Sequence, residues 1–384
     1  MRPNLRFPEF DEEWKKRKLG EVVNYKNGGS FESLVKNHGV YKLITLKSVN
    51  TEGKLCNSGK YIDDKCVETL CNDTLVMILS EQAPGLVGMT AIIPNNNEYV
   101  LNQRVAALVP KQFIDSQFLS KLINRNQKYF SVRSAGTKVK NISKGHVENF
   151  NFLSPDYTEQ QKIGNFFSKL DRQIELEEQK LVKLEEQKKG YMQKIFSQEL
   201  RFKDENGNDY PEWEEKTIKD VYKVTRGYVL ARKLMSDNPN SINKYPVYSS
   251  QTSNNGLMGY YSDYLYQDAI TWTTDGANAG SVSFRQGKFY CTNVCGVLLN
   301  ELGNSNVCMA EMLNNIAFKY VSKVGNPKLM NNVMAMIKLK FPCLEEQQAI
   351  SKFLNVFSEV IDNQNKKVEL LKERKKGLLQ KMFV

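Results

Sequence analysis

Residues 159–196 read EQQKIGNFFSKLDRQIELEEQKLVKLEEQKKGYMQKIF, and residues 346–383 read EQQAISKFLNVFSEVIDNQNKKVELLKERKKGLLQKMF. The second stretch follows the first at an offset of 187 residues without a gap, and 15 of 38 aligned positions are identical. Glu, Gln, Lys and Leu dominate both copies and neither contains proline, a composition that favours helix. In the first copy the apolar side chains recur at heptad spacing: Ile163, Phe167, Leu170, Ile174, Leu181, Leu184, Tyr191 and Ile195. The second copy gives Ile350, Leu354, Phe357, Ile361, Val368, Leu371, Leu378 and Met382. Each set is a heptad seam. Glu177 and Lys188 interrupt one seam, and Gln364 and Lys375 interrupt the other at the equivalent places. Polar seam residues cost stability and commonly fix register.

The repeat extends beyond the helices. Leu5-Arg6-Phe7 recurs as Leu200-Arg201-Phe202, Trp14 recurs as Trp213, and Leu19 to Gly28 resembles Ile218 to Gly227. The order is lead-in, head, helix, lead-in, head, helix. The second helix ends at the C-terminus, and its following lead-in is the N-terminus of the chain. The order is therefore nearly cyclic, which predicts that the termini lie near each other. The fold class is α+β: two globular heads separated by two long antiparallel coiled-coil helices with pseudo-two-fold symmetry. The domains run 1–157 (first head), 158–199 (first helix), 200–343 (second head) and 344–384 (C-terminal helix). Each helix is the simplest partner for the other, and ~38 residues make a rod of about 55 Å. Two different heads on matching rods predict a ruler that reads two separated places on one target.

Composition narrows the partner. The net charge of +11 over 384 residues points to a polyanion. No run of 18 apolar residues occurs, so no transmembrane helix and no membrane partner is expected. The opening residues MRPNLRFPEFDEEW lack the apolar core of a signal peptide, and a cytoplasmic protein is expected. The seven cysteines are scattered and odd in number, which predicts reduced, mostly buried thiols. Cys66 and Cys71, and Cys291 and Cys295, are not spaced as a zinc knuckle, and with two histidines no metal site is expected.

The heads show short β-type runs at Tyr41 to Leu46, Leu75 to Leu79, Val105 to Val109 and Val294 to Leu299. Helical stretches follow at Ser116 to Phe130 and Cys308 to Val321, so each head should carry a small, irregular sheet with helices. Lys121 to Lys144 contains seven basic residues and no acid, and Lys319 to Lys340 contains five and no acid. Inside each lies a loop with glycine and lysine, Ala135-Gly136-Thr137-Lys138 and Gly325-Asn326-Pro327-Lys328. Glycine permits close approach to a phosphate and lysine neutralises it. Lys138, Lys140, Lys144 and Lys328 are the candidates for that role. Base reading needs amides, arginines and small polar residues on loops. The candidates are Lys47, Ser48, Asn102 and Arg104 in the first head, and Ser250, Asn254, Asp275, Asn278 and Asn331 in the second. Turn chemistry explains any single Asn or Asp equally well.

Catalytic motifs are missing. There is no GxxxxGK[ST] loop and no dinucleotide fingerprint. Asp237-Asn238-Pro239-Asn240 begins like the tetrapeptide of amino-methyltransferases but lacks its second proline and its base-stacking aromatic. His38 and His146 have no suggestive neighbours and read as exposed loop residues. No catalytic residue is assigned. The chain reads as a binding module.

The chain resembles the specificity subunits of type I restriction–modification systems along its whole length. The most specific pieces are the paired helix starts, Tyr157-Thr158-Glu159-Gln160-Gln161-Lys162-Ile163 and Leu344-Glu345-Glu346-Gln347-Gln348-Ala349-Ile350. Ala83-Pro84-Gly85 and Leu101-Asn102-Gln103-Arg104 in the first head are also similar to the family. So are Tyr245-Pro246-Val247-Tyr248, Asn255-Gly256, Asp275-Gly276-Ala277, Ala279-Gly280 and Gly287-Lys288-Phe289 in the second. Trp272-Thr273-Thr274 stands where relatives often carry an arginine. The resemblance implies two target-recognition domains that bind the two halves of a split, asymmetric sequence in double-stranded DNA, with the helices setting the gap. It implies two modification subunits that methylate adenine with S-adenosylmethionine, and restriction subunits that use ATP and Mg²⁺. No cofactor is then bound by this chain. Inserting four residues, about one helical turn or 6 Å, should shift the gap by about one or two base pairs. Two other classes stay open at this point: a coiled-coil scaffold whose heads bind proteins, and a self-contained nuclease or methyltransferase.

Overall fold

The structure is a computed structural model that describes residues 2–63, 67–81, 85–136, 139–251 and 253–384. It divides into two compact units, residues 1–179 with 366–384, and residues 180–365. The division falls inside the two long helices, Tyr157–Phe196 and Leu344–Met382. Each head therefore packs on the start of its own helix and on the far end of the other copy.

In the first unit a four-stranded antiparallel sheet runs in the order Val23–Asn27, Val105–Pro110, Leu75–Ile78, Thr90–Ile92. A three-stranded sheet joins Tyr61–Ile62, Tyr41–Ile44 and Tyr99–Leu101, the last two in parallel. Lys15–Lys18 pairs with Asn151–Ser154 and carries the chain into its helix. The core gathers Trp14, Leu19, Phe118, Phe130, Phe150 and Phe152 with Ile163 and Phe167 of the helix and Met382 and Phe383 of the C-terminus. The expected proximity of the termini is found here: the Leu5 N–H donates to the Lys381 carbonyl at 2.9 Å. The single helix expected over Ser116 to Phe130 is two, Ser116–Arg125 and Gln127–Arg133. Asn126 separates them by donating from its side chain to the Leu122 carbonyl at 2.8 Å, the local competition with backbone pairing that asparagine favours.

The second unit holds a six-stranded sheet, in the order Lys223–Arg226, Cys295–Leu299, Tyr266–Thr273, Val282–Cys291, Tyr245–Tyr248, Leu257–Tyr261. This sheet is larger than the sequence predicts. Asp268 and Gly287 look like breakers, yet both lie inside the long strands with positive φ of 47° and 73°. The Gly287 N–H donates to Asp268 Oδ1 at 2.7 Å across a bulge, so the irregularity is absorbed and pairing continues. Helix Val307–Ala317, capped by the Asn306 carboxamide, covers the core of Trp213, Ile218, Trp272, Met309, Leu313, Ile350 and Leu354. Of the six described cysteines, Cys291, Cys295 and Cys308 are buried, Cys56 and Cys343 are half-buried and Cys71 is exposed. Burial is thus less general than the composition predicts, and Cys66 lies outside the described residues.

The paired helix starts owe their recurrence to one device. Glu159 is fully buried and accepts two hydrogen bonds from Arg6, both at 2.7 Å. Glu346 is fully buried and accepts from Arg201 at 3.2 and 2.8 Å and from Trp213 Nε1 at 2.8 Å. Each arginine is held above its ordinary value by hydrogen bonding to its glutamate. The next residue, Gln160 or Gln347, is also buried and donates to the carbonyl of Pro155 or Pro342. The recurrent Leu-Arg-Phe and Glu-Gln-Gln are the two sides of one clasp.

Seam residues Ile163, Phe167, Ile174, Ile350, Leu354 and Val368 are buried, and Leu170, Leu181, Leu184, Phe357, Ile361, Leu371 and Leu378 are half-buried. Tyr191 is 42% exposed, with its ring edge on Phe353 and near Phe357. Part of the seam serves the heads: Ile163 and Phe167 belong to the first core, Ile350 and Leu354 to the second. Within the first unit the helices run antiparallel, with Glu177 on Lys367 at 2.5 Å, Glu178 on Lys372 at 3.0 Å and Asp171 on Lys375 at 2.5 Å. Asp171 also pairs with Lys121 of the head. Burial pulls Lys121 below its ordinary value against the pull of Asp171. Burial would raise Asp171, but Lys121 and Lys375 outweigh it and hold the carboxyl below its ordinary value. In the second unit the equivalent lysine, Lys188, finds Ser358 Oγ at 2.9 Å and Glu311 of the head at 4.0 Å. The acid has moved from helix to head, and the seam lysine keeps a partner in both units.

Candidate nucleic-acid interface

Both heads are pinned at the same crossing. The Gly28 N–H donates to the Val105 carbonyl at 3.2 Å, and the Gly227 N–H donates to the Cys295 carbonyl at 2.9 Å. A Cβ on Gly28 would stand 1.9 Å from the Asn102 carbonyl oxygen, and one on Gly227 would stand 2.1 Å from that of Cys291. No other residue fits there without a shift of the backbone. The basic loops also match. Ala135 bridges Asn141 beside the pairing of Lys140–Asn141 with Ser80–Glu81. Ser322 bridges Lys328, which also bridges Asp275. In each head a lysine thus pairs in backbone register with an acid, Lys140 with Glu81 and Lys328 with Asp275.

In the second head the structure brings several candidates together. Asp275 takes a hydrogen bond from Thr274 at 2.7 Å and lies 3.6 Å from Lys328. Asn331 donates to the Thr225 carbonyl at 3.3 Å. Asp275, Lys328 and Asn331 line one hollow with Arg226, Asn293 and Asn332. Asn278 is half-buried and its carbonyl closes a turn onto Ser281. Ser250 is half-buried and Asn254 is exposed in a left-handed conformation. Their loop is fastened where Thr292 donates to Ser249 Oγ at 3.0 Å. Behind the loop Arg285 stacks 3.8 Å over Tyr248 and donates to Thr271 Oγ1 at 3.1 Å. Burial holds this guanidinium below its ordinary value, and its stacking on Tyr248 and bond to Thr271 brace the start of the loop. Thr252 lies outside the described residues.

Two candidates of the first head are corrected. Ser48 is 1% exposed and its hydroxyl accepts the Thr45 N–H at 2.9 Å. Asn102 is 3% exposed; it accepts the Phe31 N–H at 3.3 Å and donates to Glu32 at 3.0 Å. Both are internal fasteners of the turn chemistry that competes with base reading at every such residue. Lys47, Arg104, Lys140 and Lys144 are exposed. Arg104 holds a φ of 65°, a conformation non-glycine residues avoid unless the surroundings impose it. Lys144 sits 5.3 Å over the Tyr25 ring and 3.6 Å from Glu148. Burial, aided by Glu148, pushes the Tyr25 hydroxyl up to about 12. Lys138 lies outside the described residues, as do Thr137, Ala83 and Pro84. His38 is exposed, and His146 is exposed on the short helix Lys144–Glu148 rather than on a loop. Asp237 of the methyltransferase-like tetrapeptide pairs with Arg232. Among the described residues no group of three His, Cys, Asp or Glu is placed to hold a metal, and no helix is long and apolar enough to cross a membrane.

Arg226, which the sequence reading did not select, lines the same hollow as Asp275, Lys328 and Asn331.

The fold and the site define a tandem of two like recognition domains, each ending in a long helix with a buried glutamate clasp. The type I restriction modification DNA specificity domain matches residues 11–186 and 210–373, and the chain belongs to this family. A putative type I specificity subunit N-terminus of Mycoplasma pneumoniae is 40% identical over 145 residues, 36% of this chain and 75% of that one. The specificity subunit of the type I restriction enzyme MpnII from the same organism is 36% identical over 151 residues, 38% of this chain and 44% of that one. The matches thus span about half the length of most of these curated relatives. In fold, the S subunit of a type I restriction-modification system from M. genitalium superposes with a TM-score of 0.69 at 18% identity, over 100% of this chain and 99% of that one. The comparisons give no support to heads that bind proteins.

Proposed function

We propose that this chain is the non-catalytic, cytoplasmic DNA-reading subunit of a type I complex, each head binding one half of a split, asymmetric site in duplex DNA. The helices set the gap between half-sites and, with neighbouring head surfaces, dock two modification subunits. Those subunits bind S-adenosylmethionine and methylate adenine; restriction subunits with ATP and Mg²⁺ add translocation and cleavage. The observation that carries this reading is the recurrence, in two heads of different detail, of a lysine from a basic stretch paired in register with an acid, Lys140 with Glu81 and Lys328 with Asp275. Lysines there neutralise phosphates and position the protein, while neighbouring amides and arginines face base edges.

The test is a methylation map, read on single molecules, of a methylation-deficient host that expresses this chain with a type I modification subunit. A methylated-adenine motif in two parts with a fixed gap is expected. A soluble complex that methylates no motif, or a single continuous one, would refute the reading.

A further inference from the structure

We infer that Arg226 is the residue with which the second head reads a guanine, a deepening that rests on the DNA-reading function proposed above. The second unit contains four arginines, Arg201, Arg226, Arg232 and Arg285. Arg201 is committed to Glu346, Arg232 to Asp237, and Arg285 to Tyr248 and Thr271. Arg226 is exposed, and its guanidinium makes no hydrogen bond or ion pair among the described residues.

Its backbone, by contrast, is held from every side. Arg226 pairs with Gly296 in the sheet, and its carbonyl accepts the Tyr266 hydroxyl at 2.6 Å. The following Gly227 is locked at the crossing, and Asn331 grips the preceding carbonyl of Thr225. The fixed backbone removes main-chain ordering from the cost of binding, and the planar fork loses less freedom per hydrogen bond than a lysine ammonium would. The hollow it lines also contains Asp275, Asn293 and Lys328. A G·C pair shows two acceptors on guanine, O6 and N7, and one donor on cytosine, N4, in the major groove. The Arg226 fork satisfies the first two, and a carboxylate or amide oxygen of the same hollow takes the third.

The first head carries Asn27 in the same register, paired with Ala106 as Arg226 is with Gly296. Asparagine matches the adenine edge rather than the guanine edge. The two heads therefore differ in base preference at one structurally equivalent point.

The test uses the complex with the modification subunit and the same methylation map, comparing wild type with Arg226→Lys, Arg226→Gln and Asn27→Ala. Wild type must first give a two-part motif; its absence would refute the proposed function and not this inference. Both Arg226 variants are then expected to relax one guanine in one half-site, lowering the preference for that base by about 5- to 150-fold. Asn27→Ala should alter only the other half-site. Lysine keeps the charge but not the planar fork, so a phosphate contact would survive Arg226→Lys unchanged while guanine reading would weaken, and Arg226→Gln would remove it. An unchanged motif, uniformly weaker methylation at every site, or a half-site without guanine would overturn the assignment. Failure of both Arg226 variants to form a soluble complex would overturn it too, because the free guanidinium would then be structural.

Discussion

Replacing Trp14 and Trp213 by phenylalanine, one at a time, isolates a single hydrogen bond. The two residues are equivalent in the repeat, and both are buried, at 3% and 8% exposure. The same atoms are removed from each, so the transfer and cavity costs largely cancel in the comparison. Trp213 Nε1 donates to Glu346 at 2.8 Å, whereas Trp14 Nε1 is buried without a partner among the described residues. Trp213→Phe loses a hydrogen bond to a charged group, about 1.5–3 kcal/mol, and Trp14→Phe removes an unsatisfied donor that costs about 1–3 kcal/mol. Trp213→Phe should therefore be the more destabilising by at least about 2.5 kcal/mol. For units of this size that is a gap of about 5–10 °C in Tm. Thermal unfolding of the full chain followed by far-ultraviolet circular dichroism, with urea titrations as a check, reads it. Equal losses, or a larger loss for Trp14→Phe, would refute the account of the clasp.

Asp171→Asn leaves Lys121 and Lys375 facing each other without their carboxylate and should cost about 3 kcal/mol. Because Asp171 titrates below its ordinary value, its contribution is present above about pH 4 and is lost as pH falls through the depressed value. Stability curves of wild type and Asp171→Asn should therefore converge in acid, and parallel curves would count against the pairing. Gly28→Ala or Gly227→Ala forces a Cβ into a carbonyl oxygen, and each should lose about 3 kcal/mol or more, since strain at a crowded backbone is a severe mechanism; hydrogen exchange would place the damage in the altered head alone. Lys328→Ala should weaken DNA binding by the complex and reduce the log–log salt slope by about 1, measured by fluorescence anisotropy between low and moderate salt. An unchanged slope would remove Lys328 from the phosphate contacts.

Much of the architecture was legible in the sequence because a repeat carries its own alignment. The helix copies, the lead-ins and the meeting of the termini follow from the order of repeated pieces. The Glu-Gln-Gln starts were visible as a pattern, but their cause was not. A buried glutamate reads like any other acid of a helical first turn until its arginine, far away in sequence, is placed upon it. The larger sheet of the second head was hidden for a related reason, since Asp268 and Gly287 act as a bulge only because they face each other across strands. Asp275, Lys328 and Asn331, chosen separately in the sequence, line one hollow, whereas Ser48 and Asn102, also chosen, have their polar groups turned inward. An asparagine that reads a base and one that fastens a turn look alike without burial. Arg226 escaped because a single exposed arginine draws no notice until the commitments of the other arginines are known.

The two units are threaded differently, and this gives the chain an order of assembly. Every residue of the second unit lies in one uninterrupted stretch, 180–365, whereas the first unit is written in two pieces, 1–179 and 366–384. Its core needs Met382 and Phe383, the latter stacked on Phe118 at 5.3 Å. On the ribosome the head that is made first is therefore finished last. Its core is complete only once Met382 and Phe383, which follow the whole of the second unit in sequence, have been made. Loss of a few C-terminal residues would strike the N-terminal head and leave the one nearer the lesion in sequence intact.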